Sequence, residues 1–186
     1  MKGMLNKPEM LKAIAEGRKT VTRRLTGLEE INQEPNNWRF MFISQGLKGI
    51  SYLFDSAEKR CYIKPRYRVG EVAYCKEAWA PCIGGTPGPL NPTLYRADDL
   101  DFYDKLQWCS PLFMPAWAAR TFIQITEVSV ERVQAKTRDD VEAEGCSNAI
   151  NNPLFYPKVW DSINPKYPFS SNPFVWRYAF ELVPKQ

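Results

Sequence analysis

The chain has 186 residues, of which 44% are hydrophobic, and it carries 25 basic and 21 acidic side chains but no histidine. This length favours a single domain over residues 1–186, and the apolar fraction is sufficient for a substantial core. The lack of histidine excludes Ser-His-Asp and Cys-His catalytic sets and imidazole-bound zinc, so acid–base chemistry must use Lys, Glu, Asp, Tyr or Cys, or a metal held by carboxylates.

The cysteines and the apolar stretches indicate the cellular compartment of the protein. No Cys-x-x-Cys pair, the spacing typical of zinc sites, occurs among Cys61, Cys75, Cys82, Cys109 and Cys146. The N-terminus lacks the apolar run of a signal peptide, and no uninterrupted apolar stretch approaches the ~20 residues that span a bilayer. We therefore expect reduced thiols, a cytoplasmic location, and neither a membrane nor a metal among the partners.

Basic side chains are concentrated in two segments. Residues 1–24 carry seven basic and two acidic side chains, and residues 58–68 carry five and one. Two basic clusters on an otherwise acidic chain favour an anionic ligand such as a nucleotide or RNA, although short basic runs are also common on protein surfaces.

In chain order, the first predicted element is a helix over residues 8–16, with Pro8 in its first turn and Gly17 as a left-handed stop. The β-branched residues of the following segment, GRKTVTRR, favour an extended or bulged conformation. Residues 26–37 are predicted as loop. Strands are predicted for NWRFMFIS, where aromatic residues alternate, and for EVAYCKEAW. The Pro- and Gly-rich residues 80–92 predict a long loop or lid.

In the C-terminal half, TFIQITEVSVERVQ predicts a strand whose apolar phase slips at Thr126–Glu127, which indicates a β-bulge. Thr137 and Asp140 form a capping-box pattern for a short helix that Gly145 closes. A third helix is predicted over residues 154–163. The final segment, FVWRYAFELV, gives the strongest strand pattern, with Phe174, Trp176, Tyr178, Phe180 and Leu182 on one face.

Strands separated by short helices and long loops, without regular βαβ spacing, predict an α+β fold built around a mixed, bent sheet or barrel.

The segment GRKTVTRR combines hydroxyl and cationic groups just after a helix stop. A neutral Lys19 amine can deprotonate the Thr22 hydroxyl, which requires the lysine pKa to fall from about 10.4 to about 7.5. Burial and the neighbouring arginines act in that direction. Residues three apart on a regular strand face opposite sides, so a turn or bulge is needed between them. Glu144 lies at the C-terminal end of a predicted helix, where the helix dipole disfavours a carboxylate. An unfavourable placement of this kind can mark a functional residue.

These motifs together resemble ASCH-domain proteins, a branch of the PUA-like superfamily. GRKTVTRR is similar to the opening motif, PRYRVGEVAYCKEAWA to the strand led by glycine, and TRDDVEAEG to the helix ending in Ala-x-Glu-Gly. WCSPLFMPAWAAR resembles the corresponding stretch of the larger phage and prophage members. The resemblance covers nearly the whole chain, with insertions around residues 28–60 and 81–107. It departs from the family at Ala78 and Ala116, where Thr and a basic residue are usual.

The resemblance implies an α+β, PUA-like mixed β-barrel flanked by short helices, with a cleft for RNA or nucleotides. It further implies a metal-independent amidohydrolase acting on a linear amide, of the N4-acetylcytidine type, without a cofactor. Lys19, Thr22 and Glu144 match the catalytic residues of that family. In the hypothesis that follows, Thr22 attacks the amide carbonyl and Lys19 transfers the proton, while Glu144 either orients one of them or is itself the base.

Other residues are candidates for binding the substrate. Arg24 is positioned to bind the developing oxyanion or the pyrimidine O2, and Glu77 to bind a base edge. Trp79 and Trp117 are candidates for stacking on a base. The alternative is a non-catalytic module that binds a nucleoside, a modified nucleotide or RNA through the same basic clusters and aromatic side chains.

Overall fold

The computed structural model describes residues 1–46, 49–81, 93–98, 106–146 and 154–185. In these ranges the chain has a mixed α+β structure, mostly sheet, with three short helices. The helices are α1 (Pro8–Ala15), α2 (Arg138–Ala143) and α3 (Phe155–Ile163). The strands are β1 (Lys2–Leu5), β2 (Val21–Arg24), β3 (Arg39–Gly46), β4 (Gly49–Asp55), β5 (Arg60–Ile63), β6 (Val72–Lys76), β7 (Trp79–Pro81), β8 (Thr93–Tyr95), β9 (Phe122–Arg132) and β10 (Phe174–Val183).

The largest sheet has five strands in the order β1-β6-β9-β10-β2, and β1 runs parallel to β6 while the other pairs are antiparallel. A three-stranded sheet, β3-β4-β5, and the hairpin β7-β8 complete the strands. In the β9–β10 ladder, Ala179 pairs with Glu127 and Phe180 with Ile125, so Thr126 has no partner. The bulge predicted at Thr126–Glu127 is therefore confirmed.

The two outer strands of the large sheet come close to one another. Arg24, at the end of β2, donates a hydrogen bond from Nη2 to the carbonyl oxygen of Leu5, at the end of β1, over 2.7 Å. Among the described strands no backbone ladder joins β1 to β2, so a side chain spans the gap. The sheet is thus strongly curved but is not a closed barrel.

The main core lies between the five-stranded and the three-stranded sheets. Trp176 and Tyr178 of β10 are fully buried, and Phe54 of β4 belongs to the same cluster. The ring of Phe54 meets that of Phe174 edge-on, with 5.2 Å between centroids. The segment 28–60, expected as an insertion, therefore contributes to the core through β3 and β4, whereas most of the second expected insertion, 81–107, falls outside the described residues.

Two apolar residues depart from their predicted faces. Leu182 is 45% exposed, because β2 pairs with β10 only as far as Ala179 and leaves Leu182 with a neighbouring strand on one side. Phe42 is 51% exposed. A register shift between Phe40 and Phe42 in the β3–β4 ladder breaks the alternation that the sequence suggested there.

The predicted helices are present close to their expected bounds. The capping box at the start of α2 is confirmed, since the Thr137 hydroxyl accepts from the Asp140 amide and the Asp140 carboxylate accepts from the Thr137 amide. No helix in the described ranges has the length and apolar character needed to cross a membrane. Of the five cysteines, the four described ones are free thiols, and Cys82 lies outside the described residues.

Candidate functional site

An open cleft of about 480 Å³ lies where β2, the end of α2, and α3 meet the residues that follow β1. Polar side chains on its wall include four of the candidates, Lys19, Thr22, Arg24 and Glu144, together with Arg23 and Tyr156. Apolar side chains on its wall include Met10, Val159, Trp160 and Ile163. The cleft thus combines a chemically reactive side with a side suited to a flat ligand.

Lys19 reaches this cleft because α1 ends at Ala15 and the chain turns at Gly17. Gly17 adopts a φ of +72°, which closes the helix, and the amide of Lys19 donates to the carbonyl of Ala13 over 2.9 Å. Lys19 then forms an isolated antiparallel bridge with Glu144, just beyond α2. Strand β2 begins only at Val21, so Lys19 lies outside the regular strand, as a Lys19–Thr22 pair requires.

The Lys19 amine is enclosed and held by carbonyl oxygens. The residue is 4% exposed, and Nζ donates to the carbonyl of Val21 over 2.8 Å and to that of Glu144 over 2.9 Å. Burial lowers the pKa of Lys19 from 10.5 to about 8; the charge of Glu144 opposes this shift, and those of Arg24 and Arg23 favour it. Two carbonyl acceptors satisfy the two N–H groups of a neutral amine, which leaves its lone pair to accept a proton.

Thr22 lies on β2 opposite Tyr178 of β10 and is 4% exposed. It lines the same cleft as Lys19. Among the described residues, no hydrogen bond engages the Thr22 hydroxyl, so the oxygen is free to meet a ligand.

Glu144 is fixed by a buried network around Arg23, whose side chain is 0% exposed. The Arg23 guanidinium forms ion pairs with Glu144, Glu131 and Asp140. The Tyr156 hydroxyl donates to Glu144 over 3.0 Å, and both Arg23 and Tyr156 bind the same oxygen, Oε1. In the described ranges Oε2 accepts no hydrogen bond, so one face of the carboxylate remains available.

The same network keeps the Tyr156 hydroxyl protonated. Burial, reinforced by the nearby Glu144 charge, raises the pKa of Tyr156 well above its usual range. Tyr156 is therefore a hydrogen-bond donor to Glu144 at every physiological pH. The Arg23 guanidinium contacts all three carboxylates of this network. No group of three Cys, Asp or Glu side chains in the described part of the chain is arranged to hold a metal ion.

Gly145 lets the end of α2 approach Lys19 closely. Its φ is +80°, and a Cβ there would lie 2.9 Å from the Ala13 Cβ and 3.2 Å from the Lys19 Cβ. Any larger residue would push α2 away from α1 and from the start of β2. The glycine thus sets the position of Glu144 relative to Lys19.

Arg24 also lines the cleft. Its Nη2 donates to the carbonyl of Leu5 over 2.7 Å and to Asn6 Oδ1 over 2.9 Å, while its Nε is buried without an acceptor. Burial lowers the pKa of Arg24. Unlike Arg23, Arg24 makes no ion pair with any described residue.

Glu77, Trp79 and Trp117 do not line this cleft. Glu77 is 4% exposed and forms a two-pronged ion pair with Arg120, at 3.0 Å from Nε and 2.9 Å from Nη2. Trp79, 6% exposed, packs edge-on against Trp117 with 5.7 Å between ring centroids. Both tryptophans belong to a separate apolar cluster with Met114 and Phe122.

Sequence reasoning did not identify Arg23 and Tyr156 as parts of the site. Arg23 stands in the motif GRKTVTRR, but nothing in the motif shows that, among the described residues, Arg23 pairs with carboxylates and Arg24 does not. Tyr156 reaches Glu144 only because α3 packs beside α2, and no local pattern in the sequence predicts that contact.

The whole chain was compared with protein families, curated proteins and solved structures. No protein-family model matches the chain, and no curated protein matches it. Among solved structures, the chain is similar to the crystal structure of protein EF3133 from Enterococcus faecalis V583, of family DUF984, with 11% sequence identity and a TM-score of 0.41. The match covers 93% of this chain and 66% of that one, so the chain spans about two thirds of the length of that protein.

Proposed function

We propose that the protein is a metal-independent amidohydrolase that removes the acyl group from N4-acylated cytosine nucleosides such as N4-acetylcytidine. The observation that carries the proposal is one cleft that contains a buried amine with a pKa of about 8, a buried threonine hydroxyl and an anchored carboxylate. The order of motifs along the chain, which resembles that of ASCH-domain proteins, supports the substrate class. A PUA-like fold is part of the same proposal, supported by the mixed, strongly curved sheet.

The reaction begins with Thr22. Its oxygen attacks the acyl carbonyl carbon while the neutral Lys19 amine takes the hydroxyl proton. The resulting Lys19 ammonium returns this proton to N4 as the C–N bond breaks, which releases cytidine and leaves an ester on Thr22. Water then attacks the ester carbonyl carbon while Lys19 takes a proton from it. The bond between the Thr22 oxygen and the acyl carbon breaks, the Lys19 ammonium returns the proton to that oxygen, and the carboxylic acid departs.

Lys19 is a better base than Glu144 in this arrangement. Oε1 of Glu144 already accepts hydrogen bonds from Arg23 and Tyr156, and the carboxylate is held in an ion pair. Its free Oε2 is suited to accept the N4–H of the substrate amide and so to orient the scissile bond. The positive charge of Arg24, which also lines the cleft, stabilises the developing oxyanion.

The remaining wall of the cleft fits a flat ring with polar edges. Trp160, Val159 and Ile163 present apolar surface, while Asn6 and Asn164 provide amide groups. Ligand sites commonly combine an apolar lining with a few polar groups that fix orientation, as this cleft does.

The test is turnover of N4-acetylcytidine by the full chain, with cytidine release followed by chromatography. We expect Lys19→Met and Thr22→Val each to lower the rate about a hundredfold or more. Lys12→Met and Thr20→Val are matched controls, because both residues are exposed and neither lines the cleft, and they should retain wild-type rates.

If Lys19→Met impairs folding because its hydrogen bonds are lost, Thr22→Val still tests the proposal, since it preserves the shape of the side chain. No cytidine release by the wild-type protein would overturn the proposal, and so would unchanged rates in both site variants.

A further inference from the structure

A second, smaller cavity of about 150 Å³ lies beside Arg24. It is formed between β1, the residues after β2 and the segment that precedes β6, and its lining includes Arg24, Arg66, Tyr67 and Tyr178. Leu5, Arg24 and Thr26 line both this cavity and the larger cleft. The two spaces are therefore neighbours that share one wall.

The charge around the small cavity is unbalanced. Arg23, one residue from Arg24, is surrounded by three carboxylates, whereas neither Arg24 nor Arg66 forms an ion pair in the described part of the chain. Glu71, which lies on this side of the protein, is paired with Lys2 at 2.9 Å. An enclosed cation without a counter-ion is costly, so a bound anion would stabilise this arrangement.

Some hydrogen-bond donors of the residues that line the cavity lack an acceptor in the described part of the chain. Arg24 Nε is buried without an acceptor. Tyr178 accepts from the Arg66 amide over 3.2 Å, and its own hydroxyl hydrogen has no acceptor within the described ranges. The Arg66 guanidinium lies over the Tyr67 ring, 5.7 Å from its centroid, at an exposed position from which it can reach a ligand. Guanidinium and hydroxyl donors converging on one space suit a tetrahedral oxyanion.

We propose that the small cavity binds a phosphate group. Resting on the proposed function, we further propose that the preferred substrate is a phosphorylated nucleoside, with its acylated base in the large cleft and its phosphate beside Arg24 and Arg66. The shared wall formed by Leu5, Arg24 and Thr26 allows one ligand to occupy both spaces.

The first experiment measures binding without catalysis. Thermal unfolding of the full chain is compared in inorganic phosphate and in chloride at equal ionic strength, for wild type, Arg66→Ala and the matched control Arg68→Ala. Arg68 is also exposed but does not line the cavity. Because phosphate stabilises proteins in general, the difference between variants is decisive.

We expect phosphate to raise the Tm of wild type and Arg68→Ala by the same amount and that of Arg66→Ala by less than half as much. Equal shifts in all three proteins would overturn the phosphate site.

The second experiment compares kcat/KM for N4-acetylcytidine 5′-monophosphate and N4-acetylcytidine. In wild type and Arg68→Ala we expect the nucleotide to be preferred about tenfold or more, which corresponds to one charge-assisted contact. In Arg66→Ala the preference should approach one.

The two experiments separate the two proposals. Hydrolysis of both substrates at equal kcat/KM overturns the phosphorylated-substrate proposal and leaves the proposed function standing. A phosphate-dependent Tm shift that Arg66→Ala reduces, without hydrolysis of either substrate, supports the phosphate site and overturns the proposed function together with the substrate assignment that rests on it.

Discussion

The Lys19 amine lies in an environment that disfavours its charged form. It is 4% exposed and makes two hydrogen bonds, both to backbone carbonyls. Burial lowers its pKa to about 8, so roughly a tenth of the population has the neutral amine at pH 7. This environment suits Lys19 to be the general base of the proposed reaction without histidine, which the chain lacks.

The pH dependence of hydrolysis follows from this pKa. In the proposed mechanism the neutral amine is the active form, so kcat/KM should rise about tenfold per pH unit below the pKa and level off above about 8. A pH–rate profile of N4-acetylcytidine hydrolysis measures this directly. A rate that continues to rise towards pH 10.5, the ordinary lysine value, would contradict the assignment of a depressed pKa to the base.

At the scale of the element, the end of α2 sets the geometry of the site. The capping box at Thr137 starts the helix, and the left-handed Gly145 ends it against Ala13 and Lys19. Glu144, the last residue before this glycine, then faces both Arg23 and Tyr156. The position of the carboxylate therefore depends on a close approach between two backbone segments.

Gly145→Ala should destabilise the protein and slow hydrolysis. The φ of +80° costs an L-residue about 1 kcal/mol, and the clash of the new Cβ with Ala13 adds to it, for a total of about 2–3 kcal/mol. Gly70→Ala is the matched control, because Gly70 has a φ of +81° but nothing within 4 Å of the added Cβ. Urea unfolding gives the free energies, and equal losses in both variants would contradict the packing role of Gly145.

The sequence predicts the local features of this region and misses the contacts between elements. The capping box, the bulge at Thr126 and both glycine stops depend on short-range backbone chemistry, which local sequence patterns reveal. The Arg23–Glu144–Tyr156 network joins β2, the end of α2 and α3, so it exists only after those elements pack. For the same reason the burial of Trp79 in a separate cluster and the pairing of Glu77 with Arg120 could not be predicted locally.

At the scale of the whole molecule, the two larger sheets enclose one core. Phe54 of the three-stranded sheet is 0% exposed and packs against Phe174, a neighbour in sequence of fully buried Val175 and Trp176. The Tyr52 hydroxyl of the same sheet donates to the carbonyl of Val128 in β9 over 2.8 Å. The three-stranded sheet is thus part of the support for β10 and, through it, for β2.

Phe54→Ala should therefore weaken the whole protein. We expect a loss of about 3–5 kcal/mol in the free energy of unfolding, as for other large-to-small substitutions in a core, within a single transition. Phe42→Ala, at a residue of the same sheet that is 51% exposed, should change stability by less than about 0.5 kcal/mol. Loss of the three-stranded sheet alone, seen as a separate early transition, would contradict a shared core.

In the proposed mechanism Thr22 attacks the substrate with Lys19 as its base. The most direct measurement is peptide mass spectrometry of the protein quenched in acid during turnover of N4-acetylcytidine, for wild type and Thr22→Val. We predict an acetyl group on the peptide that contains Thr22 in the wild-type protein and none in the variant. An acetyl group on a different residue, or undiminished cytidine release by Thr22→Val, would contradict the account.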